Sequence, residues 1–187
     1  MPGEDEVGST ADPALVGGCR RGDISAFEDL YRSHGARMKS VAYNILGNAS
    51  DAEDAVQEAF LRMYRGMAAF KGTAQLSTWM FRILVNACHD IGRQRRRRRN
   101  ETELGPEEQL PVSTGPAGDA ALRMALEKAV ARLRPRQRDV FLLFEVEGFR
   151  HREIADILDI AEGTSKALLF EARRELQAVL GPGGRPA

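Results

Sequence analysis

The spacing of apolar residues predicts helices along most of the chain. Between residues 23 and 47 they recur every three or four positions, and Ser25 with Glu28 forms a capping-box pattern at the start. A second stripe covers 50–66, again with a capping pattern, and a third covers 79–91. We therefore predict three amphipathic helices that close a small core, with no strand signal between them.

A linker and a second group of helices follow. Residues 100–118 contain three prolines, several glycines and four glutamates but no lysine or arginine, which is a linker composition. Beyond them, apolar spacing predicts one helix over 122–133 and another after Pro135. The segment 152–180 then has the layout of a helix-turn-helix, with the turn at 159–161.

These patterns predict an all-α protein with two small helical domains joined by a flexible linker. Residues 1–22 lack apolar periodicity, so we expect them to be mostly disordered up to a possible short helix at 14–20. The predicted divisions are a disordered N-terminus at 1–22, a first domain at 23–99, a linker at 100–118, a second domain at 119–180 and a tail at 181–187.

Composition favours a soluble globular protein and a cytoplasmic location. The 187 residues are 43% hydrophobic and 29% charged, and no stretch has the roughly 18 uninterrupted apolar residues of a membrane helix. The acidic first residues lack the order of a signal peptide. Cys19 and Cys88 are far apart in the sequence and are expected to remain thiols, and three histidines without zinc-like spacing predict no metal and no cofactor.

A net charge of zero conceals segregated blocks of charge. From residue 20 to 99, basic residues outnumber acidic ones by 15 to 8. The run Arg95–Arg99, with Arg93 just before it, suits contact with phosphate groups, and a solvated basic helix end is the alternative.

The second helix of the helix-turn-helix presents a defined outer face. Helical spacing brings Lys166, Phe170 and Arg173 together, with Thr164 and Ser165 at its N-terminal end, where exposed amides and hydroxyls suit phosphate. We expect this end to enter the major groove of DNA, whereas an ordinary helical hairpin with exposed charges is the alternative.

Residues 152–176 read REIADILDIAEGTSKALLFEARREL, and this segment resembles the region 4 helix-turn-helix of group IV, or extracytoplasmic function (ECF), sigma factors of the sigma-70 family. The resemblance implies contacts with the minus-thirty-five promoter element by Thr164, Ser165, Lys166, Phe170, Glu171 and Arg173. Many relatives carry Val, Ser and Arg at the positions of Ser165, Ala167 and Leu168, and a basic residue at Glu171. Glu171 could accept from a cytosine amino group or repel phosphate.

Residues 51–64 read DAEDAVQEAFLRMY, which resembles the region 2 helix that contacts the clamp of the largest polymerase subunit. The matching positions lie three and four residues apart, so they share one helix face with acidic groups and one apolar anchor. A solvated polar face is the alternative. The resemblance implies polymerase binding by Asp54, Gln57, Glu58 and Leu61.

Residues 70–93 read FKGTAQLSTWMFRILVNACHDIGR, which resembles regions 2.3 and 2.4, the segments that recognise and open the minus-ten element. Asn86 matches a position that lines the flipped-base pocket in relatives, and a buried core amide is the alternative. Trp79 and Phe81 are expected in the core. The implied minus-ten contacts are Lys71, Gln75, Thr78, Asn86, His89, Asp90 and Arg93.

Together, the three ordered resemblances identify an ECF-type RNA polymerase sigma factor, which binds core polymerase and directs promoter recognition and opening. The implied partners are core RNA polymerase, through the clamp and the flap of the second-largest subunit, promoter DNA and an anti-sigma factor. A stand-alone helix-turn-helix regulator would explain only about the last 65 residues. An enzyme is not indicated, because the sequence has no Gly-rich phosphate loop and no nucleophile motif.

Overall fold

The computed structural model describes residues 13–72, 75–102 and 117–180. Within these ranges the chain forms α-helices and no strand, which confirms the all-α prediction. A short 3-10 turn follows α3, and a π-helical turn follows α6. The helices are α1 (Pro13–Arg20), α2 (Ile24–Leu46), α3 (Ala49–Gly66), α4 (Leu76–Thr102), α5 (Ala117–Arg132), α6 (Pro135–Phe141), α7 (His151–Leu158) and α8 (Glu162–Leu180).

The starts of α2 and α3 differ from the capping boxes that the sequence suggests. Asp23 caps α2, since its carboxylate accepts a hydrogen bond from the Ser25 amide at 3.0 Å. Asn48 caps α3 by accepting from the Asp51 amide at 2.9 Å. Both caps lie two residues before the predicted serine, because Asp and Asn in an extended conformation reach the free amides of the first turn.

Gly47 ends α2 in the left-handed region, with φ of 68°, and its amide donates to the Tyr43 carbonyl at 2.7 Å. A Cβ at this position would meet open space, so only the backbone conformation disfavours a side chain. We expect Gly47→Ala to lower the free energy of unfolding by about 1 kcal/mol in urea titrations. Gly163→Ala is the matched control: it lies within helical α8, also in open space, and should raise stability by about 0.5–1 kcal/mol. Equal effects at the two sites would contradict this account.

The helices α1 to α4 form the N-terminal domain, defined here as residues 13–102. Its core joins fully buried side chains from α2, α3 and α4, including Leu30, Met38, Met63 and Leu84. The helix α1 packs against α2, and its Cys19 is buried, so described structure begins ten residues before the predicted start at 23.

The helices α5 to α8 form the C-terminal domain, defined here as residues 117–180. The helix α7 ends where Asp159 adopts a left-handed conformation with φ of 54°, and α8 begins three residues later. These bounds agree with the predicted helix-turn-helix to within one residue. No helix in the described ranges is both long enough and apolar enough to span a membrane.

The two domains pack directly against each other. One continuous apolar cluster includes Leu30 and Leu84 from the N-terminal domain and Leu143 and Ile154 from the C-terminal domain. The contact is made chiefly by α7 against α4. Sequence periodicity predicts the two groups of helices but not this shared core, because each stripe reports burial without naming the partner.

Candidate functional site

The outer face of α3 presents the set that sequence reasoning assigned to polymerase binding. Asp54, Gln57 and Leu61 are exposed, and Leu61 has 51% of its surface accessible. Glu58 is half-buried and pairs with Arg62 at 2.7 Å, one turn further along. The opposite face is buried in the core through Ala52, Ala55, Val56, Ala59 and Met63. The helix is therefore amphipathic, and its outer face combines carboxylates with one exposed leucine.

An exposed hydrophobic surface continues from this face onto α2. It is formed by Ile24, Tyr31, Leu61 and Tyr64. Each of these side chains is at least half exposed. Ring contacts at 5.0 Å join α2 to α3 beneath them, Phe27 with Tyr64 and Tyr31 with Phe60. Tyr31 and Tyr64 fall within the apolar stripes predicted over 23–47 and 50–66, and the sequence does not predict their exposure, because the width of a stripe does not show which of its edges remains uncovered.

Arg62 connects the outer face of α3 with α4, a role that sequence reasoning missed. Its guanidinium pairs with Glu58 on α3 and with Asp90 on α4 at 3.0 Å, and Asp90 pairs in turn with Arg93. The hydrogen bonds that Arg62 donates to Glu58 and Asp90 outweigh burial and raise the pKa of its guanidinium. A cationic cleft lies here, lined by Arg62, Asp90, Arg93, Gln94 and Arg97.

The residues assigned to the minus-ten element divide into exposed and covered groups. The side chain of Asn86 is exposed, which makes the alternative of a buried core amide wrong. Thr78 is 3% exposed, and its hydroxyl has no hydrogen-bond partner among the described residues. His89 Nε2 lies 2.9 Å from Oδ2 of the buried Asp139. Lys71, Gln75 and Arg93 are exposed, and Asp90 is half-buried.

The arginine run at the end of α4 is divided in the same way. Arg95 turns inward and pairs with Asp51 at 3.1 Å, near the N-terminus of α3. The negative charge of Asp51 at this position also interacts favourably with the helix dipole. Arg96, Arg97 and Arg98 have exposed side chains. In the described part of the run, Arg95 therefore forms a structural ion pair, and the following arginines form a basic surface.

Four of the residues assigned to the recognition surface of α8 have partners within the protein. Lys166 pairs with Glu162 at 2.6 Å across one turn. Arg173 pairs with Glu145 at 2.6 Å and lies over the Phe144 ring. Glu171 accepts a hydrogen bond from Gln137 at 3.0 Å. The fourth, Ser165, is treated below.

Ser165 is buried, and its hydroxyl lies 3.0 Å from His151 Nδ1. His151 stacks on Phe144, and burial followed by the charge of Lys166 lowers its pKa, so it is neutral near pH 7. Direct contact of Ser165 with DNA would need a different conformation. Thr164 is exposed, and Phe170 is 67% exposed at the centre of the outer face. His151 therefore positions the N-terminal turn of α8, and sequence reasoning missed this role.

No cluster of three or more His, Cys, Asp or Glu side chains able to hold a metal occurs in ranges 13–72, 75–102 and 117–180. Both cysteines are buried free thiols. Burial, followed by the charge of Asp139, raises the pKa of the Cys88 thiol to about 12. Burial also raises the pKa of Cys19. Both thiols are therefore protonated near pH 7 and shielded from reagents.

Comparison with known proteins matches both domains. Sigma-70 region 2 matches residues 30–99, and Sigma-70, region 4 matches residues 123–176. The chain is 32% identical to the ECF RNA polymerase sigma factor SigM of Mycobacterium tuberculosis, over 91% of this chain and 85% of that protein. It is 28% identical to the ECF RNA polymerase sigma factor SigW of Bacillus subtilis, over 86% and 92%.

A solved structure shares the fold: the sigma factor RpoE of Bartonella quintana, in complex with the anti-sigma factor NepR, has a TM-score of 0.73 and 25% identity, over 81% of this chain and 94% of that one. A stand-alone helix-turn-helix regulator is not favoured, because the N-terminal domain is matched as well. The chain belongs to the ECF sigma factors of the sigma-70 family and acts in transcription initiation.

Proposed function

We propose that this chain binds core RNA polymerase through the outer face of α3 and guides it to promoters as a group IV sigma factor. The observation that carries the proposal is the exposure of Asp54, Gln57 and Leu61 on one face, with Glu58 beside them. Acidic groups around an apolar anchor suit a basic partner, the clamp of the largest subunit. The adjoining exposed hydrophobic surface adds contact area for the same partner, because its tyrosines belong to a residue type that is enriched at protein interfaces.

Contacts with the minus-ten element are proposed for Lys71, Gln75, Thr78, Asn86, His89, Asp90 and Arg93. The exposed amide of Asn86 can read the hydrogen-bonding edge of an unstacked base. Lys71 and Arg93 are exposed cations that suit phosphates of the opened strand. Arg62 and Arg97 line the same cleft as Arg93 and extend this basic surface.

Contacts with the minus-thirty-five element are proposed for Thr164, Lys166, Phe170, Glu171 and Arg173, and the buried Ser165 supports the turn that presents them. Phe170 stands out physically, because its exposed ring can contact a thymine methyl group in the major groove. The internal partners of Lys166 and Arg173 are carboxylates, and DNA phosphates can replace them.

Further partners and properties follow from the family. We propose that the C-terminal domain contacts the flap of the second-largest polymerase subunit, and that an anti-sigma factor holds the chain inactive, as NepR binds the similar RpoE. We also propose a cytoplasmic location and a role in which polymerase supplies all of the catalysis.

In vitro transcription with core polymerase on a genomic template pool tests the function. We expect Asp54→Ala/Gln57→Ala to weaken core binding about tenfold or more and to reduce every transcript alike, because every promoter depends on the same contact with core polymerase. Lys166→Ala/Arg173→Ala should retain core binding and weaken transcription from promoters that depend on the minus-thirty-five contact, because phosphate contacts position α8 on DNA without reading its sequence. Core affinity is measured by fluorescence anisotropy of the labelled factor.

Glu53→Ala is the matched control, since Glu53 is an exposed carboxylate on α3 that pairs with Lys39 of the same domain. It should leave core affinity unchanged. Absence of factor-dependent transcripts from wild-type protein would refute the sigma function. Unchanged core affinity in the Asp54→Ala/Gln57→Ala protein would refute the binding face alone.

A further inference from the structure

Gln137 is a buried glutamine of α6 that connects α6 with α8 inside the C-terminal domain. Its side chain is only 1% exposed, so its amide needs hydrogen-bond partners within the protein. The Oε1 atom accepts from the Arg134 amide at 3.1 Å, just before the first turn of α6. The Nε2 atom donates to Glu171 at 3.0 Å and to Glu175 at 3.1 Å, one turn apart on α8. The amide of Gln137 therefore joins the start of α6 to the middle of α8.

The contact with Arg134 fixes the orientation of the Gln137 amide. A backbone N–H can only donate, so the atom that faces it is the amide oxygen. The NH2 group then faces α8, where two carboxylates accept from it. Rotating the amide by half a turn would break every one of these hydrogen bonds. Gln137 therefore presents a fixed donor to α8.

Glu171 is held through one oxygen and leaves the other available. Its Oε2 atom accepts from Gln137, and no other donor in ranges 13–72, 75–102 and 117–180 forms a hydrogen bond or ion pair with this carboxylate. The side chain is exposed. Its partner is a neutral amide, whereas Lys166 and Arg173 each have a partner of opposite charge. Glu171 therefore presents a positioned acceptor at the surface of α8.

The neighbours of Glu171 on α8 leave space for a base. Helical spacing places Thr164, Ala167 and Glu171 in one row, and all three are exposed. Because Thr164 and Ala167 are short, the edge of a base can approach the helix along this row. The exposed ring of Phe170 adjoins the row and can contact the next base pair. The acceptor of Glu171 therefore lies beside a part of α8 that a base can reach.

The chemistry of the major groove limits what such an acceptor can recognise. Guanine presents only acceptors there, and thymine presents an acceptor and a methyl group. Adenine has an amino group beside its N7 acceptor, which a carboxylate repels, whereas cytosine presents its amino group. Phosphate carries the same charge as the carboxylate and is also repelled. A fixed carboxylate at this place therefore favours cytosine.

We propose that Glu171 accepts a hydrogen bond from a cytosine amino group in the minus-thirty-five element and that Gln137, which touches no DNA, positions its carboxylate. This rests on the proposed function, because it requires α8 to lie in the major groove. It adds a base preference at one position of the promoter. It also assigns the positioning of that contact to a buried residue on a different helix.

Transcription from a promoter library tests the preference. One promoter that wild-type protein uses is taken from the genomic template pool, and each position of its minus-thirty-five element is varied through the four bases. The full chain with core polymerase transcribes the library, and sequencing counts the transcripts. We expect one position at which cytosine, on one of the two strands, is favoured about tenfold, a typical effect of one mismatched base pair.

Glu171→Gln should abolish the cytosine preference and shift it toward adenine, because an amide offers the donor and the acceptor that match adenine. Asp156→Asn is the matched control: it removes the charge of an exposed carboxylate on α7 of the same domain. It should keep the cytosine preference. A general effect of lost negative charge would appear in both variants.

Gln137→Met tests the positioning role, because methionine has a similar length and no amide. We expect loss of the cytosine preference, with the preferences at other positions retained, and circular dichroism checks that the helices remain. Glu171→Asp makes the same test without altering a buried residue. It keeps the charge, but its shorter side chain cannot contact both Gln137 and a base, so the cytosine preference should be lost as well.

Equal use of the four bases at every position, or a cytosine preference that survives in Glu171→Gln, would overturn the proposal. A uniform rise in transcription for Glu171→Gln, without a change in base preference, would show that Glu171 only repels phosphate and would overturn it too. An unchanged preference in Glu171→Asp or in folded Gln137→Met would overturn the positioning role. Absence of transcripts from wild-type protein would instead count against the proposed function.

Discussion

Phe81→Ala is expected to lower the free energy of unfolding by about 3–5 kcal/mol, the usual cost of removing a fully buried phenylalanine. The Phe81 ring has no exposed surface, meets Phe149 across the domain boundary and lies under the Arg37 guanidinium. Its loss leaves a cavity and removes both aromatic contacts. Urea unfolding followed by circular dichroism measures the change.

Phe170→Ala is the matched control, because the same atoms are removed from a ring that is 67% exposed. It should change stability by no more than about 0.5 kcal/mol. The single tryptophan, Trp79, reports on α4, so its fluorescence and the helical signal should follow one transition in wild-type protein. A loss below about 1 kcal/mol for Phe81→Ala would contradict a shared core.

Local patterns predicted the helices well. Apolar spacing placed the helix-turn-helix because the inward positions Ile154, Leu158, Leu169 and Leu176 repeat with the helical period and are buried in the structure. The caps of α2 and α3 were misplaced because several residues before each helix can accept a hydrogen bond from its first amides, and backbone conformation selects among them.

The candidate site was predictable where it depends on one helix. Asp54, Gln57 and Leu61 share an outer face because helical spacing alone brings them together. The burial of Thr78 and Ser165 could not be predicted in this way, because it results from packing against other helices. A polar residue three or four positions from a core residue can be either exposed or buried, and the sequence pattern alone does not distinguish the two.

The contact between domains had a weak signal in the sequence. The mostly apolar run from 139 to 149 holds three acidic residues, Asp139, Glu145 and Glu147, and the structure buries Asp139 and Glu147. Carboxylates in an apolar run indicate that a basic partner faces them, since burying an unpaired charge is costly. The sequence does not identify Arg37 or His89 as those partners, because they lie 110 and 50 positions away.

Arg138 joins the ends of two helices, so its replacement is expected to have the second large effect. Its guanidinium donates to the carbonyls of Val130 and Leu133 at the end of α5, each at 3.1 Å, and also to Ala131. It donates as well to Ile45 at the end of α2, at 3.2 Å. Carbonyls at helix C-termini lack partners within the helix, and a cation there also interacts favourably with the negative end of the helix dipole.

Arg138→Met retains the apolar stem and removes every donor, and we expect it to lower the free energy of unfolding by about 2–4 kcal/mol. The summed hydrogen bonds would suggest more, but burial opposes the charge, as the lowered pKa of the Arg138 guanidinium indicates, and Met avoids that cost. Arg136→Met is the matched control on α6, because Arg136 is exposed and donates to one carbonyl, that of Leu158. Arg136→Met should lower the free energy of unfolding by at most about 1 kcal/mol. If chemical denaturation showed equal losses for Arg136→Met and Arg138→Met, the multiple carbonyl contacts of Arg138 would not be what stabilises the helix ends.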